Sequence, residues 1–217
     1  MDIEAARYNM VEQQIRPWEV LDTGVLDLLF RIKREEFVPK AWRNLAFVDM
    51  EIPLGHGEVM LAPRVEARIL QLVAVKPTER VLEIGTGSGY LTALLASEAA
   101  HVVSVDIEAE FTAAARARLA EHGIGNVTLE TGDAASGWSQ GAPYDVIVVT
   151  GSLPMMVDAL LQSLNIGGRL FAVTGEGAVM EAGLVTRTGP ERWESINVFE
   201  TVIPPLRNAR HPDRFCF

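Results

Sequence analysis

Apolar positions change period along the chain. Val25, Leu26, Leu28, Leu29 and Ile32 recur at helical spacing, and Phe37-Val38-Pro39 ends that pattern. Pro53-Leu54-Gly55-His56-Gly57 reads as a loop. Ala62-Pro63 then opens a helix through Val65, Ile69, Leu70, Leu72 and Val73, with the proline tolerated in the first turn. From Val81 onward short apolar runs alternate with helical stretches. Strands are predicted near 81–84, 102–106, 127–130, 144–150 and 168–174, and helices near 89–98, 110–122 and 155–164. Gly167-Gly168-Arg169-Leu170 reads as a helix stop feeding the fifth strand. Ala182–Thr188 and Trp193–Ile203 read as two further strands around the turn Thr188-Gly189-Pro190-Glu191, their order in the sheet left open. The alternation predicts an α/β fold, a doubly wound and mostly parallel sheet of seven strands behind an N-terminal helical lead-in. The expected division is residues 1–75 for the lead-in and 76–217 for the sheet region, in one compact unit.

The densest chemical signal is Glu83-Ile84-Gly85-Thr86-Gly87-Ser88-Gly89, between the run Val81-Leu82 and the helix beginning at Tyr90. Strand, glycine turn and helix start form a nucleotide-cofactor site in open α/β sheets: the backbone turns sharply and the helix start offers free N–H groups. The spacing is Gly-x-Gly-x-Gly, Tyr90 stands where a dinucleotide motif needs its last glycine, and Glu83 precedes the first glycine. Both details favour S-adenosylmethionine over a dinucleotide. The next strand ends in Asp106, 106 − 85 = 21 positions beyond Gly85, near the ~20 expected of an acid that holds ribose hydroxyls. A third strand runs into Gly132-Asp133-Ala134, where Asp133 is placed to accept from an adenine amino group. The candidate cofactor residues are Glu83, Gly85, Thr86, Gly87, Ser88, Gly89, Asp106, Ile107, Asp133 and Ala134.

Composition narrows the surroundings. Lys+Arg of 19 against Asp+Glu of 29 gives a net charge of −10, with no basic cluster to grip nucleic acid phosphates. The one cysteine, Cys216, cannot form an internal disulfide, and no His/Cys group has zinc-ligand spacing, so no metal is expected. The acidic start Met1-Asp2-Ile3-Glu4 lacks a signal-peptide core, and no apolar run reaches the ~20 residues of a membrane span. A cytoplasmic protein is expected. Oligomeric state is not legible.

Beyond the cofactor motif, Arg34-Glu35-Glu36-Phe37-Val38-Pro39, Gly132-Asp133, Ala142-Pro143-Tyr144-Asp145 with Ile147-Val148-Val149-Thr150, Gly167-Gly168-Arg169-Leu170 and Pro205-Leu206 complete a pattern that resembles the protein-L-isoaspartate O-methyltransferases. The resemblance runs through nearly the whole chain. It implies a Rossmann-like methyltransferase fold, S-adenosylmethionine as cofactor, and methyl transfer to an oxygen of an isoaspartyl peptide or protein. It makes the first 75 residues the bearer of the acceptor loop, and Pro205-Leu206 part of a closing strand.

The acceptor loop departs from the family. Where the family has Gly-x-Gly-Gln-Thr-Ile-Ser-x-Pro, this chain has Gly55-His56-Gly57-Glu58-Val59-Met60-Leu61-Ala62-Pro63. The shaping glycines and proline remain. Three polar side chains become Glu58, Val59 and Leu61, so a hydroxyl donor is lost and a negative charge is gained where an anionic acceptor is expected. Residues 58–61 are therefore the candidate acceptor residues, with Met50 and Met60 as pocket or core residues. A carboxylate nucleophile is ionised at neutral pH and needs no general base; His56 is a candidate base only for a hydroxyl acceptor. His101, His122 and His211 are read as structural or surface residues. Three readings follow: an isoaspartyl methyltransferase, a methyltransferase for a smaller and more apolar acceptor, and a cofactor-binding module that transfers nothing.

Overall fold

The structure is a computed structural model and describes residues 2–212, so Cys216 lies outside the described residues. The chain opens with α1 (Ile3–Asn9), capped by the Asp2 carboxylate on the Ala5 N–H. A π-helical stretch over Met10–Ile15 prolongs it and buries Met10, Val11 and Ile15. α2 (Thr23–Arg31) starts at Asp22, whose side chain accepts from Gly24 and Val25. α3 (Pro63–Val73) begins at the expected proline.

A seven-stranded sheet follows: β3 (Arg80–Ile84), β4 (His101–Asp106), β5 (Val127–Thr131), β6 (Tyr144–Val149), β7 (Leu164–Glu176), β8 (Val179–Gly189) and β9 (Arg192–Glu200). Its order is β5-β4-β3-β6-β7-β8-β9. The first five strands are parallel; β8 and β9 are antiparallel additions at one edge, which settles their order. α4 (Tyr90–Glu98) and α5 (Ala109–Glu121) connect the parallel strands within one residue of expectation.

Alternate residues of each strand serve opposite faces. Val81, Val102, Val146, Phe171 and Val173 pack with the lead-in and with α3 and α4 in one continuous core. Their neighbours Leu82, Val103, Ile147 and Leu170 form a second core with Leu160 and Leu164. Chain order reverses at β3, which lies between β4 and β6. The crevice at the carboxyl end of such a switch is where open α/β sheets take ligands.

Several local expectations are corrected. The segment 53–57 is a hairpin, β1 (Ile52–Gly55) against β2 (Glu58–Met60), turning through His56 and Gly57 at φ of 55° and 82°. The expected helix over 155–164 shrinks to α6 (Asp158–Gln162). Ser152 and Leu153 are held extended by bridges to Pro205 and Thr174, and Tyr144 N–H already pairs with Ser163. β7 thus starts at Leu164, and Gly167-Gly168 lies inside it, at a register shift against β6. β9 ends at Glu200, short of Ile203, just before two prolines that lack the N–H a ladder needs. Pro205-Leu206 forms a single bridge and no strand.

Candidate active site

A cleft opens at the carboxyl ends of β3, β4 and β6, lined by Ile84, Val105, Asp106 and Thr150, at the place where such sheets take ligands. Gly85 and Gly87 form part of its floor. Gly85 has φ of +100°, and a Cβ there would lie 2.1 Å from Thr150 Oγ1. That hydroxyl donates to the carbonyls of Ile84 and Gly85 at 2.9 and 3.0 Å, binding the loop to the end of β6. Only glycine meets both the conformation and the space.

Asp106, the last residue of β4, stands on the wall. Its Oδ2 accepts from Gly87 N–H at 2.8 Å and its Oδ1 from Glu108 N–H at 2.9 Å. Burial raises its pKa, while the two N–H bonds work in the opposite sense. The carboxylate is thus fixed in orientation and keeps lone pairs for further donors. Ile107, Phe111, Ala134 and Ala135 give the cleft apolar walls, and Asp133 also lines it. Asp133 is held too, by Ala135 N–H at 2.9 Å and Asn208 Nδ2 at 2.8 Å.

A narrower recess continues from Gly85, Gly87 and Thr150 beneath the hairpin, where Val59, Met60, Leu61, Thr86 and Ser88 meet buried Glu66. The hairpin therefore does stand beside the glycine loop. Met60 is buried and lines this recess, while Met50 is only partly buried. A third, broader groove of about 480 Å³ lies beside the cleft and shares Pro204 and Pro205 with it. Glu51, Ser152, Pro154, Met180 and Val202 line it.

Two sequence-predicted cofactor residues, Glu83 and Gly89, line neither the cleft nor the recess. Gly89 is a packing position, where a Cβ would come within 2.9 Å of the Ala115 Cβ. Glu83 is fully buried below the loop. Its Oε2 accepts from Thr92 Oγ1 at 2.5 Å and Ser104 Oγ at 2.6 Å, while Oε1 is buried with no partner among the described residues. Burial pushes this carboxyl up to about 8 against the pull of the two hydroxyls. Its proton is held more tightly in the folded than in the unfolded chain, so its contribution to stability is complete below about pH 4.5 and is lost as the pH rises towards 8. Glu83→Gln keeps an acceptor for both hydroxyls and removes the titration. Its stability relative to the natural protein should rise between pH 6 and 8.5, by up to ~1 kcal/mol per pH unit, in urea melts. A constant difference across that range would show that Glu83 is charged throughout.

The charge expected at Glu58 is not free. Arg207 Nε donates to Glu58 at 2.6 Å and Arg207 Nη1 to Glu108 at 2.6 Å. Arg207 lay outside the sequence reading, because its partners are 149 and 99 positions away. His56 is on the outer side of the hairpin, hydrogen-bonded to Glu110 at 3.0 Å and 3.7 Å from Glu108. These acids raise its pKa, which makes it a poorer base at neutral pH, and it does not line the cleft. Of the other histidines, His122 stacks on Phe37, His101 bonds Thr128 and His211 pairs with Glu176. Among the described residues no helix is long and apolar enough to cross a membrane.

Comparison with known proteins agrees with this geometry. The profile of the protein-L-isoaspartate(D-aspartate) O-methyltransferase family matches residues 5–204. The chain is 38% identical over 203 residues to the protein-L-isoaspartate O-methyltransferase of Methylorubrum populi, covering 94% of this chain and 95% of that one. It is 39% identical over 201 residues to the enzyme of the same name from Methanoculleus marisnigri, covering 92% and 90%. Its fold matches that of a Plasmodium falciparum protein-L-isoaspartate O-methyltransferase solved in complex with S-adenosyl-L-homocysteine, with a TM-score of 0.79 over 95% of this chain and 99% of the other, at 17% identity. The chain therefore belongs to the protein-L-isoaspartate(D-aspartate) O-methyltransferase family, and with it to the S-adenosylmethionine-dependent methyltransferases.

Proposed function

We propose that the protein methylates the free carboxylate of isoaspartyl residues in peptides and proteins, with Gly85, Gly87, Asp106, Ile107, Asp133 and Ala134 holding the cofactor. The cleft suits the group. It has a glycine floor that a Cβ would fill, an oriented carboxylate for vicinal hydroxyls, and apolar walls with an acid among them for a base ring. Thr86 and Ser88, in the recess beneath the hairpin, are the proposed contacts for the amino-acid tail. Glu83 and Gly89 are proposed to support the loop without touching the ligand.

Bound there, S-adenosylmethionine supplies a methyl group on a sulfonium. The protein's own part is alignment and exclusion of water, because an acceptor carboxylate is already a nucleophile at neutral pH. The hairpin covers the loop and presents Val59 and Leu61 as a dry wall. What carries the polypeptide reading is the groove of about 480 Å³ adjoining the cleft at Pro204 and Pro205: it leaves room for chain beside a damaged residue. Pairing of Glu58 with Arg207 removes the repulsion that an unpaired acid would impose on such an acceptor.

The test is kcat/KM for an isoaspartyl peptide against its normal aspartyl twin. Turnover of the isoaspartyl form alone is expected. Leu61→Ser should raise kcat/KM about tenfold, since one charge-assisted hydrogen bond covers the ~1.4 kcal/mol required. Equal turnover of both peptides, or of neither, would overturn the assignment of acceptor.

A further inference from the structure

The segment 203–208 runs over the mouth of the cleft and is fastened at three places. Ser152 ties its start: Ser152 N–H donates to Pro204 at 2.9 Å, Leu206 N–H to Ser152 at 2.8 Å, and Ser152 Oγ to Ile203 at 3.2 Å. Gly151 lets it lie close, since a Cβ there would stand 2.9 Å from the Leu206 backbone. Asn208 ties its far end to Asp133 at 2.8 Å. Between them Arg207 reaches two elements that are joined at the hairpin turn by the exposed His56–Glu110 pair, and it ties them on the cleft side. One is the hairpin, through Glu58; the other is the turn from Asp106 into α5, through Glu108.

We propose that Arg207 is a positioning residue for methyl transfer, clamping the acceptor hairpin to the wall of the cofactor cleft. The inference rests on the cofactor reading above. Its chemistry is specific. A guanidinium offers donors in a fixed fork, so one side chain bridges two carboxylates in a set geometry. A lysine would hold a single point. The third nitrogen, Nη2, is buried and has no partner among the described residues. Arg207 itself lines the cleft, so the clamp borders the space the cofactor fills. Side chains of Arg207, Glu58 and Glu108 are 37%, 30% and 22% exposed, and ion pairs so open to water are weak and screened by salt. That weakness fits a clamp that must open to exchange cofactor for product at each turnover. It also accounts for the acid at Glu58, a position where the family carries glutamine: the carboxylate is the hairpin's half of the clamp.

The experiment uses the full chain and the variants Arg207→Met, Arg207→Lys, Glu58→Gln and Arg207→Met/Glu58→Gln. Three quantities are read: S-adenosylhomocysteine affinity by calorimetry, kcat and KM for an isoaspartyl peptide, and amide exchange of residues 52–60 without ligand. Arg207→Met should weaken product binding about tenfold, raise peptide KM several-fold with kcat within threefold, and speed exchange in the hairpin. Arg207→Lys should recover part of each. The double variant should be no worse than Arg207→Met alone, because both changes remove one contact. High salt should weaken binding by the natural protein more than by Arg207→Met. Affinity and KM within twofold of the natural protein, or effects of Arg207→Met and Glu58→Gln that multiply independently, would overturn the clamp. Failure of the natural protein to bind S-adenosylhomocysteine would instead overturn the cofactor reading on its own.

Discussion

Gly85→Ala is expected to reduce affinity for S-adenosylhomocysteine by ten- to a hundredfold. Two constraints meet at this residue. Its φ of +100° lies where a non-glycine residue costs ~1–3 kcal/mol, and the added methyl would overlap Thr150 Oγ1 at 2.1 Å. The loop can relieve both only by moving. Moving breaks the hydrogen bonds from Thr150 to the Ile84 and Gly85 carbonyls and shifts Gly87, whose N–H orients Asp106. The ligand is then met by a loop that must be pushed back, and each ~1.4 kcal/mol of that work is tenfold in affinity. The two constraints separate in Gly85→Ala/Thr150→Ala. That variant has no Oγ1 to overlap but keeps the backbone strain, so it should recover part of the affinity. Calorimetry on the three proteins, with circular dichroism to confirm folding, decides the matter. Unchanged affinity in Gly85→Ala would show that this loop does not cradle the cofactor.

The parallel half of the sheet was legible because its strands are covered on both sides. Val81 and Leu82, or Val102 and Val103, serve opposite cores, so each strand is a continuous apolar run between helical periods. Asp106 was legible for a local reason: the residue ending a strand at the switch point must face the crevice. Glu83 lies buried below the loop and lines no part of the cleft, although an acid beside a glycine turn looks available to a ligand. The contrary signal lay in Ser104, its register partner on β4, and in Thr92, in the first turn of α4. Their two hydroxyls converge on the Glu83 Oε2 from below the loop, away from the cleft.

The acceptor region was harder to read. A hairpin with strands of four and three residues has too few positions for alternation to show, and Pro53, Gly55 and Gly57 dominate its composition. The turn at His56-Gly57, both residues at positive φ, was the missed hairpin signal. Arg207 was invisible for a different reason. Its partners are fixed by the fold, not by spacing, and an isolated arginine near the end of a chain has no pattern to announce it. Consequently Glu58 looked like a repelling charge, although the fold supplies its counterion.

Arg34→Met should destabilise the protein by ~3–5 kcal/mol and suppress methyl transfer more than tenfold. Arg34 is fully buried. Its Nε donates to the Ala46 carbonyl at 3.0 Å, its Nη2 to the Leu61 carbonyl at 2.7 Å, and its Nη1 pairs with buried Glu66. The guanidinium also lies 5.3 Å from the centre of the Tyr90 ring. Removing it strands two carbonyls and one carboxylate in a dry interior, the costly half of breaking a buried pair. Glu66 can escape part of that cost by taking up a proton, since burial already pushes it up to about 7 beside Arg34. The loss should therefore grow as the pH rises, and be smaller at pH 5.5 than at pH 8. Arg34→Met/Glu66→Leu separates charge from anchoring. With no buried acid left, it should regain most of the stability. It should not regain activity, because the Leu61 carbonyl still lacks the donor that sets the start of α3 against the recess under the hairpin. Urea melts at the two pH values, with kcat/KM on an isoaspartyl peptide, read both effects. Full activity in the double variant would show that Arg34 only neutralises Glu66. A loss below ~1 kcal/mol in the single variant would show that the interior yields enough to hydrate the acid.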